Sequence, residues 1–261
     1  MSTGEGVAHE RMDARTHDAG IASRVLLDVP IRQVTSDAKA HWFGYYDIAA
    51  FGDSGTRVLA CASDFEWRAP RPSDALEVGV IDLEQSDRFT PLGTSRSWGW
   101  QQGCLLQWRP QHRDHIVWND RIGDARVTRL LDIGSSQERI VESGFYSVSP
   151  DGKSALGCDL ERLAWMRPGY GSASLYIHEP RERAPNNTGV TRIDLESGEQ
   201  RLVVSLAALE AFETEPRSRR CWHYVNHLSF SPDGHRFAVI HRWRRNLRTP
   251  RAYRAVAGFG G

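Results

Sequence analysis

The sequence contains almost no lysine: all but two of its 33 positively charged side chains are arginine. The guanidinium group of arginine binds a carboxylate through two parallel hydrogen bonds, which an ammonium group cannot do. Negative side chains also number 33, so the formal net charge of the 261-residue chain is zero. A chain without a positive field does not attract nucleic acid or an anionic membrane surface. We therefore expect neither a nucleic-acid partner nor a membrane partner.

Long apolar runs and paired cysteines are also absent from the sequence. No run reaches the roughly 18 residues that a membrane-spanning helix needs. Residues 1–23 are polar and lack the apolar core of a secretory signal, so they predict a disordered N-terminal segment and a cytoplasmic location. The four cysteines lie far apart with no C-x-x-C motif, which excludes a zinc ribbon or redox pair and predicts buried thiols. With 40% hydrophobic residues, the chain can still bury a sizeable core.

What the sequence does contain is a repeated hairpin pattern. Tight turns such as Ser149–Gly152 and Ser231–Gly234 stand between segments with the two-residue alternation of half-buried strands. Further strand segments follow the first three hairpins, at residues 77–84, 126–132 and 189–199. Two hairpins make a four-stranded antiparallel sheet, and sheets recurring every ~40 to 60 residues are typical of propeller blades. We predict an all-β chain that forms a β-propeller of four-stranded antiparallel blades.

About three full blades and a half can be counted along the chain. We predict a single propeller domain over residues 24–243 and an irregular tail rich in arginine, alanine and glycine over residues 244–261. A ring of blades must close, because an open ring leaves an unpaired strand edge. One hypothesis is a truncated or frameshifted product of a longer propeller gene. The alternative is a four-blade ring closed by a strand over residues 24–29.

One long interruption separates the second and third strands of the third unit. It runs from Glu161 to Thr188 and contains the segment Arg167–Gly171, with the sequence RPGYG. Connections of this length are typically functional or disordered. Only Ser205–Thr214 has the pattern of a helix, which we predict to lie on a connection between blades.

The topology of a blade brings certain loop residues to one face. Residues before each first strand and after each second strand lie at the same end of the sheet, and these segments are rich in aromatic, amide and arginine side chains. Aromatic rings stack on the apolar side of a sugar, and amides bind its hydroxyl groups. The alternative is structural, with tryptophans packed between blades and acids paired with arginines. The candidate binding residues are Tyr45, Tyr46, Trp100, Gln101, Asn119, Tyr146, Tyr170 and Asn226.

Several longer motifs resemble a known group of propellers. The Ser-Pro-Asp-Gly turns are similar to the PD40 repeats of TolB-like propellers. The larger pattern resembles uncharacterised bacterial propellers grouped with oligogalacturonate lyases. It consists of His41–Asp47, Trp98–Gly103, Trp118–Arg121, Arg167–Gly171 and Asn226–Trp243. Members of that group are longer and have more blades, which favours the truncation hypothesis.

The resemblance implies a carbohydrate-active propeller that cleaves uronate-containing oligosaccharides by metal-assisted β-elimination. In that reaction a base removes the C5 proton, while arginine and a divalent metal such as manganese neutralise the carboxylate. His227 is then the candidate base, Arg121 and Arg242 are the candidate carboxylate partners, and His41, His223 and Gln102 are the candidate metal ligands. The metal site of the group uses closely spaced histidines, whereas this sequence has no His-x-His run.

Two functions from different classes follow. One is a lyase that acts on an acidic oligosaccharide, and the other is a non-catalytic propeller that serves as a binding platform for a glycan or a protein. Histidines and glutamine converging on an ion favour the enzyme, whereas exposed aromatic rings without converging histidines favour the binder. A truncated chain can also be an inactive fragment, because missing blades remove part of a central site.

Overall fold

The computed structural model describes residues 31–85, 87–172 and 180–245, together with the backbone of residues 253–260. Residues 1–23, predicted to be disordered, and residues 24–29, the proposed ring-closing strand, lie outside the described residues. The described residues from Val34 onward belong to one compact unit. In the part of the chain that is described, no helix is long and apolar enough to cross a membrane.

The strands form sheets whose members follow one another along the chain. Sheet 1 contains β1 (Ala40–Trp42), β2 (Arg57–Ser63), β3 (Leu76–Asp82) and β4 (Arg88–Ser95). Sheet 2 contains β5 (Gln107–Trp108), β6 (His115–Ile122), β7 (Ala125–Asp132) and β8 (Gln137–Val141). Sheet 3 contains β9 (Ser147–Val148), β10 (Ser154–Cys158), β11 (Gly189–Asp194) and β12 (Gln200–Ser205). Sheet 4 contains β13 (Trp222–Phe230), β14 (Phe237–Arg244) and β15 (Tyr253–Gly260).

This arrangement confirms the predicted propeller fold, with one correction in sheet 4. Sheets 1 to 3 are each four antiparallel strands in sequence order, as in propeller blades. In sheet 4, β15 pairs with the whole of β14, from Phe237 opposite Gly260 to Arg244 opposite Tyr253. The prediction of an irregular tail over residues 244–261 is therefore wrong for residues 253–260. Backbone groups alone make the ladder, so a segment of small residues can pair although its composition does not favour a strand.

Two short helices lie on connections between strands. Helix α2 (Leu206–Phe212) confirms the predicted helix, and the Ser205 hydroxyl caps it by accepting a hydrogen bond from the Ala208 N–H at 3.0 Å. Helix α1 (Leu160–Met166) lies at the start of the long interruption and was not predicted. Its cap is Asp159, whose Oδ1 accepts from the Arg162 N–H at 2.8 Å. The RPGYG segment follows this helix directly, and its proline and glycines led to the prediction of a loop over the whole stretch.

Tryptophans join sheets 1 and 2, as the packing interpretation predicts. Trp98 and Trp118 are fully buried. The Trp118 Nε1 donates to the Thr94 carbonyl at 3.1 Å, which ties β6 to β4. The Trp108 Nε1 donates to the Ala50 carbonyl at 2.9 Å. These side chains therefore fill and fasten the space between sheets instead of binding a ligand.

Candidate functional site

In sheets 1 and 4, the first strand is interrupted in its pairing with the second strand. In sheet 1, β1 pairs with β2 up to Trp42, and pairing resumes where the Leu59 N–H donates to the Ala50 carbonyl at 2.9 Å. In sheet 4, the register between β13 and β14 shifts between Asn226 and Ser229. His227 lies in this bulge with a φ of +52°. The bulge in β13 re-aims His227 out of the sheet. The loop between Trp42 and Ala50 carries Tyr45 and Tyr46.

Tyr45, Tyr46 and His227 meet between sheets 1 and 4. Both tyrosine hydroxyls lie 3.3 Å from His227 Nδ1. The Tyr45 ring stacks on the imidazole with centroids 5.7 Å apart, and the two tyrosine rings are 4.5 Å apart. Tyr45 is buried, whereas Tyr46 is 77% exposed. One of the two rings is therefore available to a ligand.

Sheets 2 and 3 contribute a second group of side chains to the same place. The Gln102 Nε2 donates to the Tyr146 hydroxyl at 2.6 Å, and the Gly171 N–H donates to Gln102 Oε1 at 3.5 Å. The Tyr170 ring lies edge-on to His227, with centroids 6.1 Å apart. We call Tyr45, Tyr46, Gln102, Tyr146, Tyr170 and His227 the tyrosine–histidine cluster.

Four ionisable groups of this cluster, Tyr45, Tyr46, Tyr146 and His227, are held in their neutral forms. Burial raises the pKa of Tyr45, and the neighbouring phenols raise it further. Burial also raises the pKa of Tyr146 and, less strongly, that of Tyr46. Burial lowers the pKa of His227. At neutral pH the phenols therefore keep their protons and the imidazole is uncharged.

Two charged side chains flank the cluster, and sequence reasoning did not assign a role to either. The Arg167 Cζ lies 4.0 Å from the centre of the Tyr170 ring, a cation–π contact. Burial lowers the pKa of His227, and the positive charge of Arg167 lowers it further. The negative charge of Asp47 raises it. The signal was present in the sequence, because Arg167 opens the RPGYG segment and Asp47 closes the HWFGYYD segment.

The two arginines predicted as carboxylate partners have other positions. Arg121 donates from Nη1 to the Gly123 carbonyl and from Nη2 to the Pro72 carbonyl, both at 2.7 Å. Arg242 is buried on β14, opposite Tyr224. Both arginines lie inside second strands, β6 and β14, and not in the loops that follow them. Successive side chains of a strand point to opposite faces of the sheet, so a place near the strand end does not direct a side chain to the centre.

The three predicted metal ligands are not brought together. His41 Nε2 lies 2.6 Å from Asp37 Oδ1. His223 Nδ1 lies 2.8 Å from His241 Nε2, and its Nε2 lies 3.0 Å from the Ser218 carbonyl. Gln102 binds Tyr146 instead. No group of three or more metal-ligating side chains occurs among the described residues. These residues do not fit a manganese site.

The remaining predicted binding residues divide between packing and exposure. Trp100 donates to the Arg68 carbonyl at 2.6 Å and packs on other aromatic rings. Asn119 is buried, donating to the Phe145 carbonyl at 2.8 Å and accepting from the Phe145 N–H at 2.9 Å. Gln101 is exposed. Asn226 is fully buried, and neither of its amide atoms has a hydrogen-bond partner among the described residues.

The chain is similar to several solved structures at low sequence identity. No protein-family model and no curated protein matches the chain. Among solved structures, TolB from Acinetobacter baumannii is 11% identical to this chain, with a TM-score of 0.46. The aligned region covers 86% of this chain and 42% of the TolB chain. An oligogalacturonate lyase in complex with manganese is 12% identical, covers 82% of this chain and 63% of its own, and has a TM-score of 0.39.

Both names belong to the groups that the sequence motifs resemble. A third similar structure is hydrazine synthase from Kuenenia stuttgartiensis, 12% identical over 80% of this chain and 49% of its own, with a TM-score of 0.44. The chain therefore spans between 42% and 63% of the length of these three structures.

Proposed function

We propose that this chain binds an acidic oligosaccharide at the tyrosine–histidine cluster. The observation that carries the proposal is the meeting of Tyr45 and Tyr46 from sheet 1 with His227 from sheet 4, with both hydroxyls 3.3 Å from one imidazole nitrogen. Polar groups that converge from separate elements beside an accessible aromatic ring are typical of small-molecule sites.

The uncharged state of the cluster suits the hydroxyl groups of a sugar. Phenols with a raised pKa remain hydrogen-bond donors at neutral pH, and a neutral imidazole offers one donor and one acceptor. The exposed ring of Tyr46 can stack on the apolar side of a pyranose. Together these groups bind both faces of a sugar, apolar and hydroxylated.

The positive charge of Arg167 is the reason for proposing an acidic ligand. Its guanidinium carbon lies 4.0 Å from the centre of the Tyr170 ring, which holds the positive charge beside the cluster. A guanidinium group binds a carboxylate through two hydrogen bonds. A uronate residue therefore supplies both the ring for Tyr46 and the carboxylate for Arg167.

A second candidate is β-elimination at the same site without a metal. It is favoured by a neutral His227 beside the protonated phenol of Tyr46. His227 would take the C5 proton, the electron pair would form the C4–C5 double bond, and the C4–O bond would break. The leaving oxygen would take the Tyr46 proton, and His227 would then return its proton to Tyr46. Both residues end as they began, and no oxidant or reductant is needed.

The test is calorimetric titration of the chain with a galacturonate trimer and with a neutral maltose-series trimer. We expect the acidic trimer to bind more tightly than the neutral one. Tyr46→Ala and His227→Ala should each weaken binding about fivefold, since an aromatic ring contact contributes roughly 1 kcal/mol. Phe212→Ala, which removes a ring 88% exposed on α2, is the matched control and should bind normally.

Ultraviolet absorbance of the same mixtures separates the two candidates. A rise in absorbance from an unsaturated product, abolished by His227→Ala, would establish elimination. Binding without that rise supports the non-catalytic platform. Equal affinity of the parent chain and the Tyr46→Ala variant, or no binding of either trimer, would refute the saccharide proposal.

A further inference from the structure

A cavity of about 580 Å³ opens between sheets 2 and 3, outside the tyrosine–histidine cluster. Its volume lies within the range of small-molecule sites, about 300–1,000 Å³. Polar side chains from both sheets line it, among them Arg126, Ser143, Asp159, Glu161 and Thr191. No candidate residue predicted from the sequence lies in it.

Arg126 is the unusual member of this lining. It lies on β7, opposite Arg121 of β6, at the end of their hairpin. Its side chain passes beside Gly144, where a Cβ atom would lie 3.4 Å from the Arg126 Cδ. Both Nη atoms are shielded from solvent, and neither has a hydrogen-bond partner among the described residues. A buried guanidinium group with unpaired Nη atoms is costly unless something accepts its hydrogen bonds.

The charge of Arg126 is retained at neutral pH in spite of its burial. Burial lowers its pKa to about 10, and the carboxylates of Asp159 and Glu161 oppose that lowering. Asp159 Oδ1 is engaged at 2.8 Å with the Arg162 N–H at the start of α1. The nearest acids therefore act on Arg126 through space, and the two Nη atoms remain available as donors.

We propose that this cavity binds a small monocarboxylate that also carries hydrogen-bond donors, with its carboxylate on the two Nη atoms of Arg126. A planar carboxylate matches the fork of the guanidinium group. The donors of the ligand, hydroxyl or ammonium, would meet the acids Asp124 and Glu161 and the hydroxyl of Thr191, which line the same cavity. Those acids repel a second negative charge, so a monocarboxylate fits better than a dianion or a phosphate ester.

The proposal is independent of the saccharide site, and the variants keep the two apart. The probes are sodium gluconate, which carries hydroxyl donors, L-serine, which carries an ammonium donor, and neutral galactose. Binding is measured by calorimetry on the full chain and by the thermal midpoint of unfolding. We expect gluconate or serine to bind and galactose not to bind. Whichever of gluconate and serine binds more tightly identifies the type of hydrogen-bond donor that the cavity prefers.

Arg126→Met should abolish this binding, with affinity falling at least tenfold, while the midpoint of the ligand-free chain stays the same or rises. That combination distinguishes a ligand-binding arginine from a structural one, because removing a structural arginine lowers the midpoint. Arg126→Lys should bind with intermediate affinity, since it keeps the charge but loses the fork.

Two controls complete the experiment. Arg88→Met removes an exposed arginine on β4 and should leave binding unchanged. Tyr46→Ala alters only the saccharide site and should also bind the monocarboxylate normally. Absence of binding by both acids, or equal binding in the parent chain and in Arg126→Met, would overturn the proposal.

Discussion

His223 and His241 face each other between β13 and β14, with Nδ1 of the first 2.8 Å from Nε2 of the second. Both are buried, and their rings stack with Trp243 nearby. One imidazole must donate and the other accept, which requires at least one neutral ring. His223, proposed from the sequence as a metal ligand, is thus engaged in a structural hydrogen bond with His241.

This pair predicts a loss of stability in mild acid. Burial lowers the pKa of His241 from 6.5 to about 4, and it also lowers that of His223. Between pH 6.5 and about pH 4 the unfolded chain binds more protons than the folded chain. The free energy of unfolding should therefore be greatest above pH 6.5 and fall by about 3 kcal/mol for His241 as the pH approaches 4.

Urea unfolding across this pH range checks the prediction. His241→Gln should flatten the pH dependence, because the titrating group is gone. His235→Gln, at an exposed position, should leave the dependence as it is in the parent chain. The same slope in His241→Gln and the parent would show that the pair does not determine acid sensitivity.

At the scale of elements, the two Ser-Pro-Asp-Gly turns have the same local structure but different surroundings. In each, the Ser hydroxyl donates to the Asp Oδ1 at 2.5 Å, for Ser149 with Asp151 and for Ser231 with Asp233. Gly152 and Gly234 have φ values of +69° and +73°, a conformation that other residues adopt at a cost. A Cβ on Gly152 would clash with the Pro110 carbonyl oxygen, whereas on Gly234 its nearest neighbour would be 3.5 Å away.

The two glycines should therefore respond differently to alanine. Gly234→Ala should cost about 1 kcal/mol, the price of the left-handed conformation. Gly152→Ala should cost roughly 2–4 kcal/mol, because the backbone of the neighbouring sheet must also move. Thermal unfolding of the two variants measures the difference. Equal costs would mean that sheets 2 and 3 are not in contact at this turn.

At the scale of the whole molecule, sheets 2 and 3 are joined by buried hydrogen bonds. Asn119 makes two with the backbone of Phe145. The Arg109 Nε donates to the Gly152 carbonyl at 2.8 Å, and its Nη2 pairs with Glu196. Surface ion pairs between sheets would contribute little, but buried bonds to backbone groups leave unpaired donors and acceptors when they are broken.

Asn119→Ala should therefore destabilise the chain strongly. It leaves the buried Phe145 N–H and carbonyl without partners, at a cost of about 2–4 kcal/mol. Gln101→Ala, at an exposed position, should change stability by less than about 0.5 kcal/mol. Chemical unfolding measures both. A small effect at Asn119 would favour the role in ligand binding that the sequence suggested.

Local patterns were enough to predict the strands, the turns and the propeller fold. The alternation of apolar and polar residues and the Asp-Gly turns depend only on residues that are neighbours in the sequence. They can therefore be recognised without knowing the tertiary contacts. The same patterns missed α1 and β15. The proline and glycines of the RPGYG segment indicated a loop where α1 lies, and the alanines and glycines of β15 do not favour a strand. Topology correctly indicated that segments preceding the first strands converge, which brought Tyr45, Gln102 and Tyr146 to His227.

Only the tertiary structure decided which candidates form the site. Asn119 and Trp100 are residue types that can bind a sugar. In this fold, however, their polar atoms already hydrogen-bond to backbone carbonyls. Arg167 contacts Tyr170 only three residues along the chain, but the fold brings this pair to His227. Arg126 of sheet 2 meets residues of sheet 3 across the cavity between them. Residue type fixes what a side chain can bind, but burial and partners, which depend on the whole fold, determine whether it is free to do so.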